Sequence, residues 1–223
     1  MAIITISREC GARGNIIARR LADRLGYRYA NRDVLHEVSL EYGVKEEEFE
    51  HIYEQAPGLL ERYDKRNREI VRLFDRIIRG LAQRDNLVMV GRGAFVVLHT
   101  YGDALNVRVT AKRSVRIQRI QQDEGVSVKK AKSRIKRIDK ERRKYIGAHY
   151  GLDWSDAGLY DLCVNTTKLD IDSAVDLILQ ALADLERDRS PDLPLVTAEK
   201  VDPTLQAAID AALNLLDAVA QTT

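Results

Sequence analysis

The sequence predicts an α/β fold built on a five-stranded, mainly parallel sheet. Five short apolar runs alternate with segments whose apolar residues recur at helical spacing, which is the pattern of parallel α/β proteins. The predicted strands are residues 3–6, 27–30, 87–90, 104–110 and 160–165. Polar and glycine-bearing segments follow the first three strands, at residues 7–16, 32–33 and 91–92. Because ligands bind beyond the carboxyl ends of parallel strands, we expect these segments to form one site.

Helical periodicity fills the intervals between the strands. Ile17, Leu21 and Leu25 lie on one face of the first predicted helix, and Gly26 ends it. The other predicted helices are residues 32–42, 45–55, 60–83, 114–124, 127–150 and 171–187. A turn-rich linker at residues 189–194 precedes a last amphipathic helix at 205–219, which packs either on the domain or on a neighbouring subunit.

Composition argues against several classes of protein. The 223 residues suffice to bury a core, and the chain has no apolar run of the roughly 18 residues that a transmembrane helix needs. The N-terminus lacks the basic segment and cleavage site of a signal peptide. Cys10 and Cys163 are too few for a disulfide framework, and the histidines lack metal-ligand spacing. We therefore expect a cytoplasmic protein that has no membrane association and no metal held by its own side chains.

The formal net charge of +2 hides an uneven distribution. Residues 108–150 contain 15 Lys and Arg against 4 Asp and Glu, whereas residues 41–64 contain 8 acidic and 2 basic residues. A basic cluster over the mouth of a parallel sheet suits a polyanionic ligand. In the second basic helix Val128, Ala131, Ile135 and Ile138 mark the inward stripe, and Arg142 continues it. This placement indicates an anion site rather than a solvated helix face.

The glycine-bearing segment after the first strand is suited to phosphate. A loop between a strand and a helix can direct backbone N–H groups at an anion, and glycine permits the close approach. However, Gly14 stands where the usual P-loop has its lysine, and Ile16 stands where the magnesium-binding hydroxyl is expected. The residues alone leave two interpretations open, a phosphate-binding loop and an ordinary turn that needs glycine for its geometry.

Several blocks of the sequence resemble the cytidylate kinase-like family. They are ITISRECGARGNIIARRLA at residues 4–22, YANRDVL at 29–35, Gly91-Arg92, DKERRKY at 139–145 and YDLCVNT at 160–166. The resemblance covers roughly residues 3–182, in the family's order. That family already lacks the P-loop lysine. The chain departs from it at Ala12 and Arg13, where Ser and Gly are usual, and at Asn31, where Asp is usual. Arg13 either supplies the charge lost with the lysine or blocks the loop.

The resemblance implies a fold and a domain plan. The fold is a three-layer sandwich of the P-loop nucleoside monophosphate kinase type, with helical acceptor-binding and lid segments. Residues 1–187 form the kinase-like domain, within which about 36–84 are the helical acceptor-binding insertion and about 114–150 the lid region. Residues 188–203 form a linker, and residues 204–223 a C-terminal helix. The helix from Leu60 and the C-terminal helix are candidate surfaces for a homodimer.

The resemblance also implies roles for individual residues. Phosphoryl transfer depends on positioning and charge neutralisation, for which the guanidinium fork is well suited. The implied catalytic arginines are Arg92, Arg116, Arg119 and Arg142. The implied phosphate-binding residues are Ser7, Gly11, Ala12, Arg13, Gly14, Asn15 and Ile16. The implied acceptor-binding residues are Arg32, Asp33, Asp139 and Arg142. The cofactors would be ATP and a Mg²⁺ ion carried by the nucleotide.

Purely structural interpretations compete with these roles. Asp139 and Arg142 have the spacing of an i,i+3 helical ion pair, and Asn31 with Asp33 has the pattern of a helix start. Arg116 and Arg119 would then lie on a solvent-facing side of their helix.

Three hypotheses follow for function. The first is an ATP-dependent phosphotransferase acting on a nucleoside monophosphate, cytidylate-like, or a similar small acceptor. The second is a non-catalytic nucleotide sensor on the same fold, suggested by the missing lysine. The third is a nucleic-acid-binding protein that uses residues 108–150. It ranks last, because the inward arginine and the loop after the first strand would then have no role.

Overall fold

A computed structural model describes residues 2–54, 64–91 and 93–221. Five strands form one sheet: β1 (Ile3–Arg8), β2 (Arg28–Ala30), β3 (Leu87–Val90), β4 (Ala104–Thr110) and β5 (Leu162–Asn165). Their order is β2-β3-β1-β4-β5, and every neighbouring pair is parallel. The predicted five-stranded sheet is therefore confirmed, and its central strand is β1.

The helices of the described residues cover both faces of this sheet. They are α1 (Gly14–Leu25), α2 (Arg32–Glu41), α3 (Glu46–Glu54), α4 (Lys65–Ala82), α5 (Ala94–Leu98), α6 (Arg113–Glu124), α7 (Val128–Tyr150), α8 (Ile171–Arg187) and α9 (Pro203–Gln221). Helices α1 and α8 pack on one face through Ile17, Leu21 and Ile178. Residues of α2, α4, α5 and α9 pack on the other face, which gives the predicted three layers.

Alternation along β1 divides the core between the two faces. Ile3 belongs to the cluster with α4 and α9, whereas Ile4 and Ile6 belong to the cluster with α1 and α8. All three side chains are at most 1% exposed. A strand buried on both faces must occupy the centre of a parallel sheet. The first strand therefore delivers the loop that follows it to the middle of the sheet's carboxyl edge.

The C-terminal region packs against the domain that precedes it in the chain. The buried carboxylate of Asp103 accepts hydrogen bonds from the backbone of Val196 (2.9 Å) and Thr197 (3.1 Å). Helix α9 then buries Leu205 and Ile209 among residues of the domain. Of the two positions that the sequence left open for this helix, the structure shows the one on its own domain.

Some predicted boundaries move for identifiable reasons. The helix predicted from residue 60 is described from Lys65, where Asp64 caps it by accepting a hydrogen bond from Asn67 N at 2.9 Å; residues 55–63 lie outside the described residues. Helix α5 was not predicted, because five residues are too few to show helical periodicity. No helix in the described part of the chain is long and apolar enough to cross a bilayer.

Candidate active site

Two glycines fix the backbone of the loop that joins β1 to α1. Gly11 has φ of +80°, and a Cβ there would lie 3.0 Å from the carbonyl oxygen of Arg116 and 3.2 Å from Cδ1 of Ile120. At Gly14 a Cβ would lie 2.4 Å from Cβ of Arg8. Larger residues at either position would push the loop away from its neighbours. The turn therefore needs both glycines, and it packs directly against α6.

The N-terminus of α1 opens at this loop. The N–H groups of Gly14 and Asn15, in the first turn, have no intrahelical acceptor, and such groups attract anions. The Asn15 side chain accepts a hydrogen bond from Nε of Arg8 at 2.9 Å. Ala12 is buried, and Ile16 is 39% exposed at the position where a P-loop hydroxyl was expected. Backbone groups, rather than a lysine and a hydroxyl, are the polar groups that the first turn of α1 presents here.

Arg13 occupies a backbone conformation that normally belongs to glycine. It is the residue preceding α1, with φ 69° and ψ 10° in the left-handed region. Its guanidinium makes two hydrogen bonds with the carboxylate of Asp123 on α6, at 2.7 and 2.9 Å. The loop thus keeps the left-handed turn although the residue is not glycine, and the arginine reaches across to α6.

Replacing Arg13 should separate its backbone strain from its ion pair. Arg13→Ala and Arg13→Gly both remove the pair with Asp123, but only glycine adopts φ of 69° without steric cost. We expect Arg13→Gly to be more stable than Arg13→Ala by about 1 kcal/mol in urea unfolding. Arg20, inside α1, is the control, because Arg20→Ala should be more stable than Arg20→Gly by about 1 kcal/mol in the same measurement. Equal stability of the two Arg13 variants would contradict the strained conformation.

Asp139 and Arg116 tie the loop to α6 and α7. One carboxylate oxygen of Asp139 accepts the backbone N–H of Cys10 at 2.9 Å, and the other accepts Arg116 at 2.6 Å. Arg116 also donates to the carbonyls of Cys10 (3.1 Å) and Ala111 (3.0 Å), and its Nε lies 3.5 Å from the carboxylate of Glu9. The Arg116 side chain is 8% exposed. Both residues therefore hold the loop in place in this structure.

Arg142 and Arg8 each line two neighbouring clefts. The loop cleft is lined by residues 8–11 and 13–16 together with Ile120, Asp123, Glu124, Arg134, Ile138 and Arg142. The strand-edge cleft is lined by Ser7, Arg8, Gly91, Gly93, Phe95, Arg142, Ile146 and Trp154. Arg142 donates a hydrogen bond to the Arg8 carbonyl at 2.6 Å. The expected i,i+3 partner of Arg142, Asp139, is hydrogen-bonded to Cys10 and Arg116.

Arg119 connects the end of β5 to the loop. Its guanidinium donates to the side-chain oxygen of Thr166 at 2.9 Å and to the Thr166 carbonyl at 2.6 Å. The Thr166 hydroxyl donates in turn to the Ala12 carbonyl at 3.0 Å. Burial lowers the pKa of Arg119, and the nearby charge of Arg13 lowers it further. Arg119 therefore lies beside the loop, engaged with the turn after β5.

Ser7 is part of a buried polar group that sequence reasoning did not assemble. Its hydroxyl accepts a hydrogen bond from Nε1 of Trp154 at 2.9 Å and lies 3.3 Å from the Tyr160 hydroxyl. Arg108 donates to Tyr160 at 3.2 Å, and its guanidinium lies 4.3 Å from the centroid of the Trp154 ring. Arg108 is 6% exposed. A charged residue within the otherwise buried strand β4 was the signal that could have revealed this group.

The predicted acceptor residues Arg32 and Asp33 lie at the start of α2. The Asn31 side chain caps this helix by accepting from Asp33 N at 2.9 Å. Arg32 forms an ion pair with Glu50, and its guanidinium lies 5.5 Å from the centroid of the Tyr53 ring. A Cβ at Gly91 would lie 3.8 Å from the Tyr53 hydroxyl. Tyr53 thus links Arg32 to the segment after β3, whereas Asp33 takes part in the helix cap.

The turn after β3 frames one side of the strand-edge cleft. Arg92, a predicted catalytic residue, lies outside the described residues. Its neighbour Gly93 has φ of +87°, and a Cβ there would lie 2.8 Å from the Tyr150 hydroxyl. Tyr150 donates a hydrogen bond to Asp75 at 2.7 Å, so α4 and α7 meet beside this turn.

The fold and the loop define the class of protein. A parallel sheet of order β2-β3-β1-β4-β5, with a glycine loop leading from the central strand to a helix, is a P-loop kinase-like arrangement. The chain belongs to the cytidylate kinase-like family, whose model matches residues 3–168. The resemblance drawn from the sequence is therefore confirmed.

Curated relatives and solved structures agree with this assignment. The chain is 29% identical over 199 residues to a cytidylate kinase of Methanopyrus kandleri, covering 85% of this chain and 97% of the relative. It is 30% identical to a cytidylate kinase of Methanothrix thermoacetophila, covering 82% and 99%. An uncharacterized protein from Eubacterium ventriosum shares the fold with a TM-score of 0.65 and 24% identity, covering 82% and 99%. Shikimate kinase from Bacteroides thetaiotaomicron shares it with a TM-score of 0.50 and 15% identity, covering 82% and 98%. Family and fold together support a nucleotide kinase function.

Proposed function

We propose that the chain is an ATP-dependent phosphotransferase whose acceptor is a nucleoside monophosphate, cytidylate-like, or a similar small molecule. The observation that carries the proposal is that Arg142 lines both clefts. Phosphoryl transfer needs a donor and an acceptor held in line, with positive charge at the phosphoryl group in transit. An arginine shared by two adjoining clefts on the carboxyl edge of the sheet meets that requirement.

We assign the triphosphate of ATP to the loop cleft. The backbone from Gly11 to Ile16 would cradle the phosphates, because it leads into the first turn of α1, whose N–H groups attract anions. Three further arginines, Arg8, Arg13 and Arg134, line this cleft with Arg142 and supply positive charge in place of a lysine.

Magnesium would arrive with the nucleotide. Among the described residues, no cluster of three or more His, Cys, Asp or Glu side chains could hold a metal ion by itself. Glu9 lines the loop cleft, but its carboxylate already accepts the Ala111 N–H at 3.2 Å and lies beside Arg116. The ion would therefore be held by the phosphates, where it would neutralise their charge.

The acceptor would bind against the strand-edge cleft and the helices beside it, since the cleft itself, at about 10 Å³, has room for no more than a water molecule. Arg142 and Arg92 would orient its phosphate, with Arg32 and Asp33 contributing from the start of α2. Asp139 would act from behind the loop, through its hydrogen bond to Cys10 and its ion pair with Arg116. In this scheme residues of about 36–84 form the acceptor-binding insertion, and residues of about 114–150, from α6 and α7, form the lid that excludes water.

A nucleotide sensor is the second candidate. Arg13 is engaged by Asp123, and Ile16 replaces the hydroxyl that would assist magnesium. Both features favour binding without efficient turnover.

Two measurements on the same protein separate these candidates. Thermal unfolding with and without MgATP reports binding, and a product assay over a panel of nucleoside monophosphates reports transfer. A kinase is expected to show both stabilisation and a diphosphate product, and a sensor only stabilisation. If no nucleotide stabilises the chain and no acceptor is phosphorylated, the proposed function is wrong.

A further inference from the structure

We propose that Asp123 is a positioning residue that competes with the donor phosphates for Arg13, so that nucleotide binding opens the Arg13–Asp123 ion pair. This inference rests on the proposed function, because it concerns the same loop cleft. It assigns a role to a carboxylate that neither the loop motif nor the family resemblance singled out.

The geometry places both partners at the site of competition. Arg13 and Asp123 line the loop cleft from opposite sides, one from the residue preceding α1 and the other from α6. Two hydrogen bonds, at 2.7 and 2.9 Å, use the planar fork of the guanidinium. A phosphate presents oxygens to the same fork in the same bidentate manner. Arg13 therefore cannot serve Asp123 and a phosphate through the same two N–H groups at once.

Electrostatics favours the exchange. Arg13 stands at the positive end of α1, where an anion is stabilised by the helix and a guanidinium is not. Asp123 stands in the last turn of α6, at the negative end of that helix, where a carboxylate is not stabilised. A phosphate at the loop would contact the N–H groups of Gly14 and Asn15 as well as the Arg13 guanidinium. Of these three groups, Asp123 contacts only the guanidinium. The ligand thus gains interactions that the carboxylate does not make.

Exposure also permits the exchange. The side chains of Arg13 and Asp123 are 24% and 45% exposed, so the pair is reached by solvent and is not locked in the core. Exposed ion pairs contribute little to stability, which means that a ligand carrying more charge can displace the carboxylate. A ligand must break this pair before the Arg13 guanidinium can bind a phosphate. Removing its charge should therefore tighten nucleotide binding.

Calorimetric titration of the full chain with MgATP tests this inference. Asp123→Asn is expected to lower the Kd for MgATP by about two- to fivefold, the range set by a partly exposed ion pair. The matched control is Asp172→Asn. Asp172 forms an ion pair at 2.7 Å with Arg20 of α1, and neither residue lines the loop cleft. That control should leave the Kd unchanged. In an Arg13→Gln background, Asp123→Asn should lose most of its effect, as a double-mutant cycle requires.

The possible outcomes separate a failure of this inference from a failure of the proposed function. An unchanged or higher Kd for Asp123→Asn, in a chain whose wild type binds MgATP, overturns the competition. A loss of affinity with MgATP but not with ATP alone would make Asp123 a metal ligand, and it overturns the competition as well. If the wild type binds no nucleotide and transfers no phosphate, the proposed function fails and this inference fails with it.

Discussion

Replacing Arg142 by alanine is expected to lower kcat for phosphoryl transfer by about a thousandfold, the scale of an arginine that neutralises the group in transit. Arg142 is the basic residue of α7 that lines both the loop cleft and the strand-edge cleft. Its hydrogen bond to the Arg8 carbonyl, at 2.6 Å, holds it at the edge of the sheet. Because the side chain is only half-buried, the fold should persist.

The neighbouring residue supplies the control. Arg143 lies one position further along α7, is exposed, and lines neither cleft; it borders a separate groove that also includes Arg116 and Asp139. Arg143→Ala should keep kcat within about twofold, because a solvated charge outside both clefts contributes little to transfer. Stopped-flow or coupled assays at saturating MgATP and acceptor measure the difference. If both variants lose activity equally, net positive charge matters rather than the position of Arg142.

The fold could be predicted wherever apolar pattern and turn signals agreed. Strands β3 and β4 were predicted with the bounds that the structure has, since each is a largely apolar run preceded by turn residues. Strand β1 was predicted to end at Ile6, but its pairing with β4 continues through Ser7 and Arg8. Polar residues at the carboxyl end of a buried strand look like loop in the sequence, because only the neighbouring strand shows that the hydrogen bonds continue.

The site was harder to predict, because its contacts join distant parts of the chain. The sequence and the family resemblance selected Arg13, Arg116 and Asp139, but they predicted neither the pair of Arg13 with Asp123 nor that of Arg116 with Asp139. The pairs Arg13–Asp123 and Cys10–Asp139 span 110 and 129 positions, and they depend on how α6 and α7 pack over the loop. Helical spacing within α7 suggested a pair between Asp139 and Arg142. Tertiary packing instead directs Asp139 to Arg116 and to the loop backbone.

The same packing predicts that Arg116→Ala destabilises the chain by about 3 kcal/mol, the lower end for breaking a buried ion pair. The variant leaves the carboxylate of Asp139, whose side chain is 13% exposed, without its cation, and it removes two hydrogen bonds to backbone carbonyls. Urea unfolding measures the loss. Arg113→Ala, an exposed arginine one turn earlier on α6, should change stability by less than about 0.5 kcal/mol.

A double variant then decides whether Arg116 acts through structure or through charge at the phosphates. In Arg116→Gln with Asp139→Asn, neither side chain is ionised, and the introduced amide oxygen can still accept the Cys10 N–H that Asp139 accepts at 2.9 Å. Removing both charges avoids the unpaired buried carboxylate that makes the single variant unstable. If Arg116 holds the loop, this pair should recover at least half of the lost stability and retain measurable turnover. Recovered stability without turnover would instead show that the Arg116 charge reaches the transferred group, as the family resemblance implied.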